Sequence, residues 1–183
     1  MADVNFKSEP AAPPRKEAFS DPQRPGLQGD GVLPYDLIEL LFFAYRDFTR
    51  DPDDVLAKFE FGRAHHRVLH FVDRNPGIMV TDLLAILRIT KQSLGRVLKQ
   101  LVDAEMIEQR EGHHDRRQRL LFTTERGHKL AVDLTQLQQK RLERALIGLP
   151  DGSDEIIRRF LLQVIDPDAR PDILQLLRSP YDL

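Results

Sequence analysis

Residues 79–127, MVTDLLAILRITKQSLGRVLKQLVDAEMIEQREGHHDRRQRLLFTTERG, change their hydrophobic period twice, and those changes decide the fold. Val80, Leu83, Leu84 and Leu87 repeat at i, i+3, i+4 and i+7, the stripe of one helix. After Arg88-Ile89-Thr90 the pattern restarts with Leu94, Val97, Leu98 and Leu101. Two amphipathic helices joined so tightly cannot be collinear, and Thr90 is a natural N-cap for the second, its hydroxyl accepting from an orphan N–H of the first turn. On a wheel of roughly 100° per residue, the face opposite the Leu/Val stripe carries Gln92, Gly95, Arg96 and Lys99, flanked by Lys91, Ser93 and Gln100. This face holds donors and amides and no acid. Beyond Asp103 the period changes again. Met106-Ile107 and Leu120-Leu121-Phe122 flank a polar stretch from Gly112 through His113, His114, Asp115, Arg116 and Arg117, which predicts a hairpin with a loop longer than a tight two-residue turn.

Helix, turn, helix and two-stranded ribbon is the order of a winged helix-turn-helix, in which the second helix suits a major groove and the ribbon tip a minor groove or phosphates. The stretch resembles the MarR family of bacterial transcription regulators. The match rests on Met106-Ile107-Glu108 ahead of the ribbon, Asp115-Arg116-Arg117 at its tip and Gly127 just inside the next helix, and it covers roughly residues 33 to 165. The resemblance implies a mainly α fold with a small β-hairpin wing, each winged lobe carried by a helical dimerisation domain built from both chain ends. It also implies roles: Gln92, Ser93 and Arg96 at base edges, Arg117 in the minor groove, Asp115 holding the ribbon and that Arg in place, Arg116 on phosphate. Lys91 and Lys99 complete the DNA-facing set of the helix. The chain departs from the family pattern at Arg88, where a small turn residue is common, and at Glu105, where Gly would relieve a left-handed helix end. Gln109 replaces the usual Arg, with Arg110 one place later and on the other strand face, and Thr123-Thr124 stands for Leu-Thr. Gly95 is unusual in a helix interior, where Gly costs about 1 kcal/mol against Ala; it either lets the backbone approach DNA closely or reflects drift at a solvent-facing position.

Composition bounds the rest. The formal net charge is −2, which argues mildly against a polyanionic partner, yet from Arg88 to Arg119 eight basic residues face five acids, a local +3. With no cysteine, disulfides, thiolate metal sites and thiol-based sensing are excluded. The run Leu40 to Tyr45 is too short to span a bilayer and the N-terminus carries no basic-then-apolar signal, so no membrane partner is expected and the location is read as cytoplasmic. No Gly-rich phosphate loop, nucleophile elbow or His-Glu-x-x-His motif is present, so no catalytic residue, metal site or cofactor is assigned and the chain is not read as an enzyme. His66 and His70 share one helix face at i, i+4. Solvated or core-edge imidazoles are the ordinary reading there, a ligand or metal role the minority one.

Residues 1–32 hold five of the twelve prolines and few large apolar groups, the signature of a disordered tail. A first helix follows from Leu33, Leu37, Leu40, Leu41, Ala44 and Phe48, apolar on more than one face, and a second from roughly Pro52 to Asp73. From Thr124 to about Gly148 a long helix extends roughly 35 Å, beyond the needs of its own lobe; Ile156 to Val164 and Pro171 to Leu177 give two more. The organisation is therefore tail 1–32, N-terminal dimerisation helix 33–52, winged lobe 53–123 and C-terminal dimerisation helices 124–183. The chain reads as a homodimeric regulator, a repressor, on a pseudo-palindromic site of double-stranded DNA with lobes about one turn apart, open to a small-molecule effector. The competing classes are a winged-helix protein-interaction module without DNA binding and a metal or small-ligand sensor.

Overall fold

The computed structural model describes residues 35–112 and 118–178. The chain divides into two units, Met1–Phe42 and Phe43–Leu183. In the first, the described residues form the opening turns of helix α1 (Tyr35–Leu56), all of them exposed. The second holds the rest of α1, then α2 (Arg63–Arg74), β1 (Ile78–Met79), α3 (Val80–Leu87), α4 (Lys91–Asp103), β2 (Ile107–Glu111), β3 (Arg119–Thr123), α5 (Glu125–Leu146), α6 (Ser153–Val164) and α7 (Arg170–Leu177).

α2 lies at the centre, touching α3, α4, α5 and β3. Its Val68, Leu69 and Val72 join Leu83, Leu94, Leu101, Met106, Ile107, Leu121 and Leu134 in one core. The helix pair takes the predicted boundaries, and the apolar stripes of both helices supply its buried residues: Leu83 and Leu87 from α3, and Leu94, Val97, Leu98 and Leu101 from α4. Each large side chain so buried contributes about 1.5–3 kcal/mol of transfer free energy.

Two expectations are corrected. The second helix does not begin at Pro52: α1 runs through this proline to Leu56, and Pro52 is itself fully buried although it donates no backbone bond. The break comes at a short 3-10 turn, Ala57–Phe59, closed by Glu60 in the left-handed region (φ 58°) with Phe61 N–H donating to Leu56 O at 3.0 Å. The ribbon also has a third strand. β1 adds to the far side of β3, in the order β1-β3-β2, all antiparallel, with Ile78 opposite Leu121 and Met79 opposite Leu120. β2 and β3 pair in register from Ile107↔Thr123 to Glu111↔Arg119.

Left-handed backbone also flanks α4 on both sides. Arg88 (φ 50°) ends α3, its N–H reaching Leu84 O, and Glu105 (φ 56°) turns the chain out of α4, its N–H reaching Val102 O. These are the two positions where smaller residues were expected. Immediately after, the sheet locks onto α5. Thr124 N–H donates to Met106 O at 3.1 Å, the Thr124 hydroxyl donates to Glu105 O at 2.7 Å, and the same hydroxyl accepts from Gly127 N–H at 3.0 Å. A Cβ on Gly127 would stand 1.9 Å from Met106 O, so only glycine permits this approach.

Three outcomes follow for stability. Gly127→Ala forces backbone from backbone and is expected to lose about 3 kcal/mol or more, seen as a large drop in melting temperature. Glu105→Gly relieves a left-handed L-residue and is expected to stabilise by about 1 kcal/mol. His66 and His70 are half-buried, and desolvation first holds both imidazoles below their ordinary value of 6.5, with the charge of His70 adding for His66 and that of Arg74 for His70. The folded state therefore prefers them neutral, and the unfolded chain binds more protons once pH falls below 6.5. Stability is full above that value and declines below it. A thermal melt at about pH 5 should be lower than at about pH 7.5, and the His66→Gln/His70→Gln variant should show a shallower acid slope.

Candidate nucleic-acid interface

α4 begins at Thr90, in extended geometry, whose hydroxyl accepts from Ser93 N–H at 3.2 Å and donates to Ser93 Oγ at 3.0 Å. The cap satisfies one orphan donor. It also orients Ser93, because a hydroxyl that accepts from Thr90 keeps its own proton to offer outward. Lys91, Gln92, Ser93, Gly95, Arg96 and Lys99 are all exposed, so the structure brings the five expected helix residues onto one open surface. Among the described residues Arg96 has no ion-pair or hydrogen-bond partner, and its five donors face solvent.

One refinement concerns charge. The face was read as free of acid, yet Lys99 Nζ donates to Asp103 Oδ2 at 2.5 Å, an i, i+4 pair at the helix end. Both side chains are exposed, so the pair is worth well under 1 kcal/mol and yields readily to a phosphate. Gly95 meets no atom within 4 Å of its would-be Cβ. Among the described residues nothing requires a glycine there.

At the ribbon, Arg110 pairs with Glu108, two residues back on the same strand face, and lies 4.4 Å over the Phe122 ring. Arg119 and Glu111, opposite each other in register, approach to 3.7 Å. The base of the ribbon thus neutralises its own basic residues. The expected tip residues Asp115, Arg116 and Arg117 lie outside the described residues.

Two positioning contacts have no signature in the sequence. Arg67 of α2 donates to Leu87 O at 3.2 Å, holding the last turn of α3, and His65 of α2 meets Gln100 of α4 at 2.9 Å. Partners twenty and thirty-five residues apart leave no periodic trace. On α5, His128 Nδ1 and Thr123 Oγ1 share Asp73 Oδ1 at 2.8 and 3.0 Å, tying α2 to the sheet and to α5. Among the described residues no group of three or more His, Asp or Glu converges as metal ligands, and His66 with His70 remains a pair. No helix among the described residues is long and apolar enough to cross a membrane. An open groove of about 670 Å³ lies between the α4–β2 turn and the start of α5, lined by Val102, Glu105, Ile107, Thr124 and Arg126 among others.

This architecture has counterparts. The sequence model of the MarR family matches residues 60–118. The HTH-type transcriptional regulator PetP of Rhodobacter capsulatus is 44% identical over 133 residues, which span 73% of this chain and 80% of that protein. Among solved structures, a SlyA-like transcription regulator from Listeria monocytogenes superposes with a TM-score of 0.61 at 19% identity, covering 82% of this chain and 97% of its own. Streptococcus pneumoniae FabT, solved in complex with DNA, gives a TM-score of 0.64 at 14% identity, covering 71% and 93%. At such identities the solved structures speak for the fold, a winged helix. The family follows from the sequence match over most of both chains: this protein belongs to the MarR family of transcription regulators.

Proposed function

We propose that the protein is a sequence-specific DNA-binding repressor that acts as a homodimer on a pseudo-palindromic operator. The observation that carries this reading is the open face of α4, where Lys91, Gln92, Ser93, Arg96 and Lys99 are exposed together and Arg96 is unengaged among the described residues. A helix bearing amides, a hydroxyl and cations offers what base edges and phosphates accept. In this reading Gln92, Ser93 and Arg96 address base edges, Lys91 and Lys99 phosphates, Arg116 a phosphate and Arg117 the adjacent minor groove with Asp115 as its orienting partner. FabT, of the same fold, was solved with DNA, which supports the placement of the helix-turn-helix on a duplex.

The dimer rests on unburied apolar surface. α6 buries no residue, and Ile156, Phe160, Leu161 and Val164 are each at least half exposed. Ile147, just past α5, is 79% exposed. In the first unit, Leu41 and Phe42 are exposed as well. A monomer rarely leaves so much apolar area in water, and a second copy of the chain covers it. Residues 33–52 and 124–183 then serve as the dimerisation segments and 53–123 as the lobe that meets DNA. Repression follows from occupancy, since a dimer spanning two half-sites about one helical turn apart excludes other proteins from that stretch. A small-molecule effector has the open groove beside the α4–β2 turn as its candidate seat, where it would touch both the end of α4 and the start of α5.

Fluorescence anisotropy on the protein's own promoter region and on a scrambled duplex, across a salt series, tests the reading. Tight, selective and salt-sensitive binding is expected; no preference at any salt, with nothing enriched in a genomic selection, would sink it. Arg96→Ala should lose about 1–3 kcal/mol on the operator and relax specificity at one position per half-site. Lys99→Ala should weaken all sequences alike and lower the salt slope by about 0.9 for each phosphate that the lysine neutralises. Gly95→Ala should raise the melting temperature by removing about 1 kcal/mol of helix penalty while weakening operator binding, if the bare backbone is what the groove admits; unchanged binding would assign Gly95 to drift.

A further inference from the structure

We infer that His65, on α2, is a positioning residue for DNA reading: through Gln100 it fixes where the recognition helix α4 lies. The inference rests on the operator-reading role just proposed. The chemistry begins with the tautomer. Gly62 N–H donates to His65 Nδ1 at 3.1 Å. An imidazole nitrogen that accepts a hydrogen bond carries no proton, so the neutral ring holds its proton on Nε2. Nε2–H therefore donates to Gln100 Oε1, at 2.9 Å. Both ring nitrogens have one defined role each. The ring cannot rotate out of them easily, because His65 is 9% exposed and stacks on Phe61 at 4.6 Å between centroids, the planes 11° apart.

The far end of the bond is what gives it a function. Gln100 is an exposed residue of α4 on the flank of its reading face, and the Lys91, Gln92, Ser93, Arg96 and Lys99 set precedes it on the same helix. The N-terminal end of α4 is fixed by Thr90, and its C-terminal end by the Glu105–Met106 turn. Apolar packing of Leu94, Leu98 and Leu101 fixes the distance of α4 from the core but is non-directional. The His65–Gln100 bond adds a directional restraint to the sliding and rolling of α4 over α2. From the same helix α2, Arg67 restrains α3 through Leu87 O at 3.2 Å. Base-edge bonds tolerate errors of only about 0.5 Å in placement, whereas the phosphate attraction that dominates random-sequence binding is insensitive to them. Loss of the tie should therefore lower specific affinity and spare non-specific affinity.

Four variants test this: Gln100→Ala, His65→Asn, the His65→Asn/Gln100→Ala double, and His65→Gln. Asn keeps an acceptor where Nδ1 was and loses the donor at the ε position; Gln places an N–H donor there. Anisotropy on operator and scrambled duplexes would be read beside hydrogen exchange of the α4 amides. Gln100→Ala and His65→Asn should each lose roughly fivefold on the operator, as expected of one net hydrogen bond, and under about twofold on scrambled DNA. The double variant should lose no more than either single, and His65→Gln should stay within about twofold of the wild type. Exchange over Val97–Asp103 should quicken in Gln100→Ala and in His65→Asn and not in His65→Gln. Additive losses in the double variant, meaning that Gln100 touches DNA itself, would overturn the inference, as would equal losses on both duplexes. Unchanged exchange in Gln100→Ala would refute the tie independently of DNA. A wild-type protein without operator preference would instead bring down the operator-reading role, with the exchange data still judging the tie.

Discussion

The seat of the Met106 carbonyl against the first turn of α5 is the constraint on which the remaining geometry depends. The carbonyl receives Thr124 N–H, and the Cβ that any residue other than glycine would carry at 127 has nowhere to go. Glu105, one residue earlier, accepts from the Thr124 hydroxyl, which in turn caps α5 through Gly127 N–H. A single threonine thus closes the exit of α4, the start of β2 and the start of α5. The end of α4 and the beginning of α5 are one joint.

Around this joint the chain accepts local strain. Glu60, Arg88 and Glu105 occupy the left-handed region at about 1–2 kcal/mol each relative to ordinary backbone. Each sits where a helix must end abruptly so that the next element can return to the core. Burial of large side chains such as Leu69, Leu83, Leu101 and Met106 outweighs these penalties. The open face of α4 contributes little to folding: its residues are exposed and the ion pair of Lys99 with Asp103 is solvated. The exposed polar groups of α4 and the burial that holds it in the fold are therefore separated onto opposite sides of the helix.

The helix pair, the Thr90 cap and the open polar face of α4 were legible because each depends on spacing within a few residues, which periodicity records directly. Glu105 and Arg88 were legible as departures, since a smaller residue was expected where the backbone turns left-handed. Other features had no such record. β1 has two residues, Ile78 and Met79, too few to show alternation. The second helix read as beginning near Pro52, but α1 runs through this buried proline, and the true break uses Glu60, a residue with no turn preference. Arg110 pairs with Glu108 along one strand face, a contact that depends on rotamers rather than on residue order. His65–Gln100, Arg67–Leu87 and Asp73–His128 join residues far apart in sequence, and only the packed fold puts them side by side.

The joint at Met106 also has a mechanical consequence. α5 has 22 residues and so is a rod about 33 Å long, welded at one end to the exit of α4. Tilting such a rod by about 5° about its far end moves the welded end by about 3 Å, comparable to the roughly 3.4 Å rise between successive base pairs. The lever has no slack where it meets α4, because the weld is backbone against backbone. A disturbance at the distal end of α5, too small to unfold anything, is therefore delivered at the exit of α4 as a displacement of that size.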